Sequence, residues 1–66
     1  MKLTTGQYVV FDHKGDLMSG EIVGFTQEHC GGRVYHIKVI ENGHMLMYHN
    51  VTPNQIKQIK GESNAN

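Results

Sequence analysis

Five histidines and one cysteine are the residues of this 66-residue chain most able to do chemistry, because imidazoles and thiolates bind metals and act as bases or nucleophiles. No Cys-x-x-Cys or His-x-x-x-His spacing occurs, so the sequence encodes no closed four-ligand zinc site. His29 and Cys30 are adjacent, and neighbours on an extended chain point in opposite directions. Ser19 and Ser63 lack a Gly-x-Ser-x-Gly context. We therefore expect neither an enzyme nor a bound metal or cofactor.

Composition narrows the class of protein further. Six basic and six acidic residues cancel, so the chain lacks the basic excess of strong nucleic-acid binders. A single cysteine, Cys30, excludes an internal disulfide and fits a reducing compartment. Residues 1–5 lack the apolar core of a signal peptide, and no apolar run is long enough to cross a membrane. These features predict one small cytoplasmic domain with no membrane contact.

The elements that must position these residues are short strands. Frequent glycines interrupt segments rich in Val, Ile, Tyr and Phe, which favours strands over helices. The strands are predicted at residues 8–13, 17–26, 33–41, 44–50 and 56–60. Thr52 and Pro53 predict a short helical turn before the last strand. We expect an N-terminal lead at 1–5, a single domain at 6–60 and a flexible tail at 61–66.

The dipeptide Asn42-Gly43 between two apolar runs predicts a hairpin with a two-residue type I′ turn. Such a turn fixes the pairing from Glu41 opposite His44 onward, and it places His36 opposite His49. One face of the hairpin then joins the core, because side chains alternate between the two faces. The predicted core consists of Val9, Phe11, Ile22, Tyr35, Ile37, Val39, Leu46, Tyr48, Val51, Ile56 and Ile59.

The opposite face of the hairpin should point outward although it carries several apolar side chains. Its members, with two residues of the first strand, are Ile40, Met45, Met47, His36, His49, Tyr8 and Val10. Outward apolar side chains in a small protein mark interfaces, and methionine suits an adaptable contact. We expect this surface to bind a protein partner or a second copy of the chain. His36 and His49 are close enough to share a metal ion, or to loosen a dimer when both become charged below about pH 6.

The strand order and two local motifs resemble the Src-homology-3-like small barrels, which include Tudor and KOW modules and the type II dihydrofolate reductases. The motifs are residues 6–9 (Gly-Gln-Tyr-Val) and 20–25 (Gly-Glu-Ile-Val-Gly-Phe), and the resemblance covers residues 6–60. It implies an all-β, five-stranded Src-homology-3-like small barrel with one short helical turn before the last strand. The Val-Gln-Ile-Tyr segment that lines the reductase pore is replaced here by Met-Leu-Met-Tyr at 45–48.

The function predicted from these features is a non-catalytic binding module, an adaptor or inhibitor of the kind that bacteria and phages encode. The alternative is a KOW-like or Tudor-like contact with nucleic acid or a ribonucleoprotein, through Arg33, Lys57 and Lys60. A second alternative is an oligomeric enzyme like the type II reductases. A Tudor-type aromatic cage would need several of the five aromatic residues that the core also requires.

Overall fold

The computed structural model describes residues 2–62, in which five strands and one 3-10 turn follow one another. The elements are β1 (Gln7–His13), β2 (Asp16–Gln27), β3 (Arg33–Glu41), β4 (His44–Val51), the 3-10 turn (Pro53–Gln55) and β5 (Ile56–Glu62). All five predicted strands and the helical turn are confirmed. β5 includes the first residues of the predicted tail, and residues 63–66 lie outside the described part of the chain.

The strands form one antiparallel sheet in the order β4-β3-β2-β1-β5. β1 pairs with both β2 and β5, so the last strand returns to the first. β4 and β5 are the two edge strands, and within residues 2–62 no ladder of hydrogen bonds joins them. The all-β class with five antiparallel strands is therefore confirmed, and this sheet is open.

Two tight turns set the register of the neighbouring strands. Lys14 and Gly15 have φ values of 53° and 93°, and Asn42 and Gly43 have φ values of 53° and 79°. Positive φ at both central positions defines the type I′ turn, whose twist matches that of paired strands. The predicted hairpin register is confirmed from Glu41 opposite His44 to the pairing of β3 with Tyr48.

Lys14 is the less suitable of the two residues that begin these turns. The left-handed conformation costs an ordinary L-residue roughly 1–2 kcal/mol, whereas asparagine adopts it more readily. Lys14→Asn, which reproduces the Asn-Gly pair of the other turn, is therefore expected to stabilise the domain by up to about 1 kcal/mol. Urea unfolding would show a higher midpoint for this variant than for a Lys14→Ala control. Equal midpoints for the two variants would contradict this explanation.

The core lies on one side of the sheet and is formed by alternate residues of the strands. Its buried hydrophobic residues are Leu3, Val9, Phe11, Ile22, Tyr35, Ile37, Val39, Val51 and Ile56, with Met18, Tyr48 and Ile59 packed partly against them. Leu46 was predicted to join the core, and this prediction is wrong because its side chain is 40% exposed. β4 is an edge strand, so Leu46 has a neighbouring strand on one side only.

The N-terminal lead and the 3-10 turn are both attached to the sheet by glutamine side chains. Gln7 is buried, accepts a hydrogen bond from the Thr4 amide (3.0 Å) and donates one to the Lys2 carbonyl (3.1 Å). Gln55 accepts from the Thr52 amide (3.0 Å) and donates to the Asp12 carbonyl (3.0 Å). The bond from Gln55 to the Asp12 carbonyl connects the 3-10 turn to β1.

Bulges interrupt the ladders on both sides of β3 at the same level. In β2, Ile22 pairs with Ile37 and Gly24 pairs with His36, so Val23 is an extra residue. In β4, Tyr48 pairs with Ile37 and Val51 with Tyr35, which leaves two β4 residues opposite His36. Bulges bend a strand and redirect its side chains, and they are frequent beside functional sites.

Candidate functional site

The surface of the sheet opposite the core, here called the outer face, carries a contiguous apolar group on β3 and β4. Ile40 pairs directly with Met45, and their side chains are 63% and 61% exposed. Met47 lies two residues further along β4 and remains 38% exposed. We call Ile40, Met45 and Met47 the hairpin patch. Apolar side chains that adjoin one another in water are typical of a contact surface, whereas isolated ones are not.

An ion pair lies in the row of residues beside Met47. Lys38 pairs with Met47 on one side and with Glu21 on the other, and Glu21 pairs in turn with Tyr8. The Lys38 Nζ atom is 3.6 Å from Glu21 Oε1. Tyr8 is 43% exposed on the far side of this pair. Across the outer face this row therefore contains Met47, then the ion pair of Lys38 and Glu21, and then Tyr8.

The two predicted contact residues of β1 share the outer face but lie apart from the hairpin patch. Tyr8 and Val10 alternate with the buried Val9 and Phe11. Val10 is half-buried and pairs with Ser19 of β2. Because β2 separates β1 from β3, the apolar side chains of β1 do not adjoin the hairpin patch directly.

The two outward histidines contact each other at the level of the bulges. His36 Nδ1 and His49 Nδ1 are 3.3 Å apart, and the ring centroids are separated by 5.1 Å at an interplanar angle of 60°. His36 is half-buried and His49 is exposed. The predicted proximity of this pair is confirmed, although a bulge in β4 separates it from the regular part of the ladder.

Two residues that sequence reasoning missed complete the surroundings of His36. Gly24 pairs with His36, and a Cβ atom at Gly24 would lie 3.9 Å from the imidazole Cδ2. Thr26 Oγ1 is 2.9 Å from His36 Nε2. An isolated glycine within a strand signals a bulge, and this was the clue that could have placed Gly24 and Thr26 beside His36.

The predicted basic residues do not form one strip. Arg33 begins β3, whereas Lys57 and Lys60 belong to β5, and strands β2 and β1 lie between them. The Arg33 guanidinium is 4.4 Å from the centroid of the exposed Phe25 ring. Lys57 Nζ donates a hydrogen bond to the Asn54 carbonyl (3.1 Å). Arg33 therefore lies apart from Lys57 and Lys60, on a different strand and beside different neighbours.

Other chemistry-bearing side chains serve turns or lie in loops. Cys30 is a free, exposed thiol next to the exposed His29 in the β2–β3 loop. Asp12 accepts a hydrogen bond from the Gly15 amide (2.9 Å), which supports the first type I′ turn. Among the side chains that the structure describes, those of residues 2–61, no three His, Cys, Asp or Glu side chains converge on a common point.

Comparison with protein-family models, with curated proteins and with solved structures gave no match for this chain. In the part of the chain that the structure describes, no helix is long and apolar enough to span a membrane.

Proposed function

We propose that this protein is a non-catalytic binding module that engages a protein partner through the hairpin patch. The observation that carries the proposal is the direct pairing of Ile40 with Met45, both more than 60% exposed. Covering such side chains would contribute on the order of 1–2 kcal/mol each, since full burial of Ile or Met contributes about 1.5–3 kcal/mol. Methionine side chains adapt their shape to a partner, which suits an adaptor or inhibitor.

The surroundings of the hairpin patch favour a protein partner over a nucleic acid. Lys38 and Glu21 beside the patch neutralise each other, so the nearby charge offers no net attraction for phosphates. Arg33 is separated by two strands from Lys57 and Lys60, which argues against a continuous phosphate track. A polar rim around an apolar centre is the usual composition of protein interfaces.

The fold itself we propose to be an open member of the Src-homology-3-like small barrels. The five-strand meander, the 3-10 turn before β5 and the pairing of β5 with β1 support this assignment. Modules of this kind work by occupying a surface on a larger molecule, which is an argument by analogy of fold. A reducing, cytoplasmic setting belongs to the same proposal and fits the free thiol of Cys30.

Met47→Asp is expected to abolish partner binding without unfolding the domain, because it places a charge in an apolar contact. Leu46→Asp is the matched control: Leu46 is 40% exposed and adjoins Met47 on the same strand, but it belongs to the opposite face. Tagged wild type and both variants would be compared in pull-downs with nuclease and high salt. Circular dichroism would verify that each variant is folded.

We expect wild type to recover a stoichiometric protein partner even after nuclease treatment and in high salt. The Met47→Asp variant should fail to recover this partner, and the Leu46→Asp variant should still recover it. Recovery that disappears with nuclease would favour the nucleic-acid alternative and overturn the proposal. Native mass measured on the same samples separates a foreign partner from a second copy. If Met47→Asp changed neither binding nor native mass, the hairpin patch would not be the contact surface.

A further inference from the structure

We propose that His36 and His49 form a two-nitrogen site for a divalent cation of the imidazole-preferring group, Zn²⁺, Ni²⁺ or Cu²⁺. This proposal rests on the 3.3 Å separation of the two Nδ1 atoms. Two nitrogens bound at about 2.0–2.1 Å to a tetrahedral ion lie roughly 3.3–3.4 Å apart. The strands therefore already hold both ligand atoms at the distance that one ion requires.

The same 3.3 Å separation also allows a long hydrogen bond between the two rings when no ion is bound. Polar N–H donors in proteins approach their acceptors to about 2.7–3.2 Å, and linear geometry is preferred. Here the rings meet at 60° with 5.1 Å between their centroids. The hydrogen bond between His36 and His49 is therefore at the long end of the usual range, and an ion of matching size would replace it.

Thr26 prepares His36 for this role. The Thr26 hydroxyl lies 2.9 Å from His36 Nε2, on the side of the ring away from His49. When Nε2–H donates to this hydroxyl, the lone pair of Nδ1 is free and directed toward His49. A histidine ligand whose second nitrogen is held by a hydrogen bond is the usual arrangement in metal sites.

The backbone of the two strands that flank β3 is irregular beside His36. β2 and β4 each carry a bulge at the level of His36, and Gly24 is the partner of His36 in β2. Asn50, directly after His49, has a φ of 60° and lies at the bulge of β4. The bulge thereby directs His49 toward His36 instead of along the regular ladder.

The chemistry of the donors defines the class of ion. Imidazole nitrogens suit Zn²⁺, Ni²⁺ and Cu²⁺, whereas Mg²⁺ and Ca²⁺ prefer oxygen donors. No third His, Cys, Asp or Glu side chain among residues 2–61 converges with this pair. The ion would therefore keep open positions for water or for ligands from another molecule, as in other open zinc sites. This inference concerns a site beside the hairpin patch and does not require the proposed protein partner.

Titration of the protein with ZnCl₂, followed by calorimetry and by NMR of the imidazole rings, tests the proposal. A Cys30→Ser background removes the one thiol of the chain, which also binds zinc. We expect saturable binding, with the ring signals of His36 and His49 shifting together. His36→Gln and His49→Gln should each weaken binding about tenfold or more, and Thr26→Val about tenfold.

His44→Gln is the matched control, because His44 is an exposed histidine at the other end of β4. It should leave zinc affinity unchanged, and MgCl₂ should not shift the ring signals of the parent. Amide NMR spectra would verify that each variant is folded. Absence of saturable zinc binding, or equal affinity in the His36→Gln, His49→Gln and parent proteins, would overturn the proposal. One ion per chain or one per two chains supports it, provided that both histidines are required.

Discussion

Gly20→Ala is expected to destabilise the domain by about 2 kcal/mol or more, at the upper end of the usual cost of overpacking a core. Gly20 is a buried residue of β2, and a Cβ atom built there would lie 2.5 Å from the Lys38 carbonyl oxygen. It would also lie 2.7 Å from Ile37 Cγ2 and 2.9 Å from Val39 Cγ2. The carbonyl belongs to the backbone of β3 and cannot rotate away. The two strands would have to separate.

Gly24→Ala is the matched control for this substitution. Gly24 belongs to the same strand, and its added Cβ atom would meet only His36 Cδ2, at the ordinary contact distance of 3.9 Å. We expect its stability to lie within about 0.5 kcal/mol of wild type. Thermal unfolding should show a fall of about 10 °C or more for Gly20→Ala, since 1 kcal/mol corresponds to about 4–8 °C in a domain of this size. Similar melting temperatures for the two variants would show that β2 and β3 are less tightly apposed than described.

Ile37→Ala is expected to cost about 2–5 kcal/mol of unfolding free energy. Ile37 has no exposed surface and pairs with Ile22 on one side and Tyr48 on the other, so its truncation leaves a cavity in the middle of the core. A chain of 66 residues has a total stability of roughly 3–10 kcal/mol. The variant should therefore be close to unfolding at 37 °C.

Ile40→Ala removes the same atoms from the same strand, but at a position that is 63% exposed. Its stability should remain within about 0.5 kcal/mol of wild type. Urea unfolding of both variants measures the difference, with an unchanged m-value showing that only stability has changed. Equal losses from Ile37→Ala and Ile40→Ala would mean that the outer face is covered in solution. Native mass would then distinguish a dimer from a misassigned core.

The backbone preferences of a few turn residues made much of this fold predictable from the sequence. Asn42-Gly43 has few alternatives to a type I′ turn, and a two-residue loop fixes every pairing that follows along regular strands. Pro53 likewise supplies the backbone angle of a helical turn and ends the preceding strand. These signals depend on neighbouring residues only, so they can be read without knowledge of the tertiary structure.

The features that could not be predicted depend on distant parts of the chain. Leu46 has the alternation of a core residue but remains exposed, because burial at an edge strand depends on what packs there from elsewhere. The bulges at Val23 and at His49 lie in the two strands that flank β3, both at the level of His36. Strand alternation alone does not reveal these bulges, and it therefore does not predict the contact between Thr26 and His36. The seven predicted outer-face residues remain a prediction as far as binding is concerned.

The two edges of the open sheet differ in how readily each could be extended by another strand. β5 carries Lys57 and Lys60, and lysines on an edge act as gatekeepers that repel an incoming strand. β4 contains no lysine, arginine, aspartate, glutamate or proline. Growth of a fibre by edge pairing needs two sheet edges per molecule that can each accept another strand. In this molecule only the β4 edge lacks charged side chains that oppose such pairing. Edge pairing through β4 would therefore stop at a symmetric dimer, with no route to a continuous fibre.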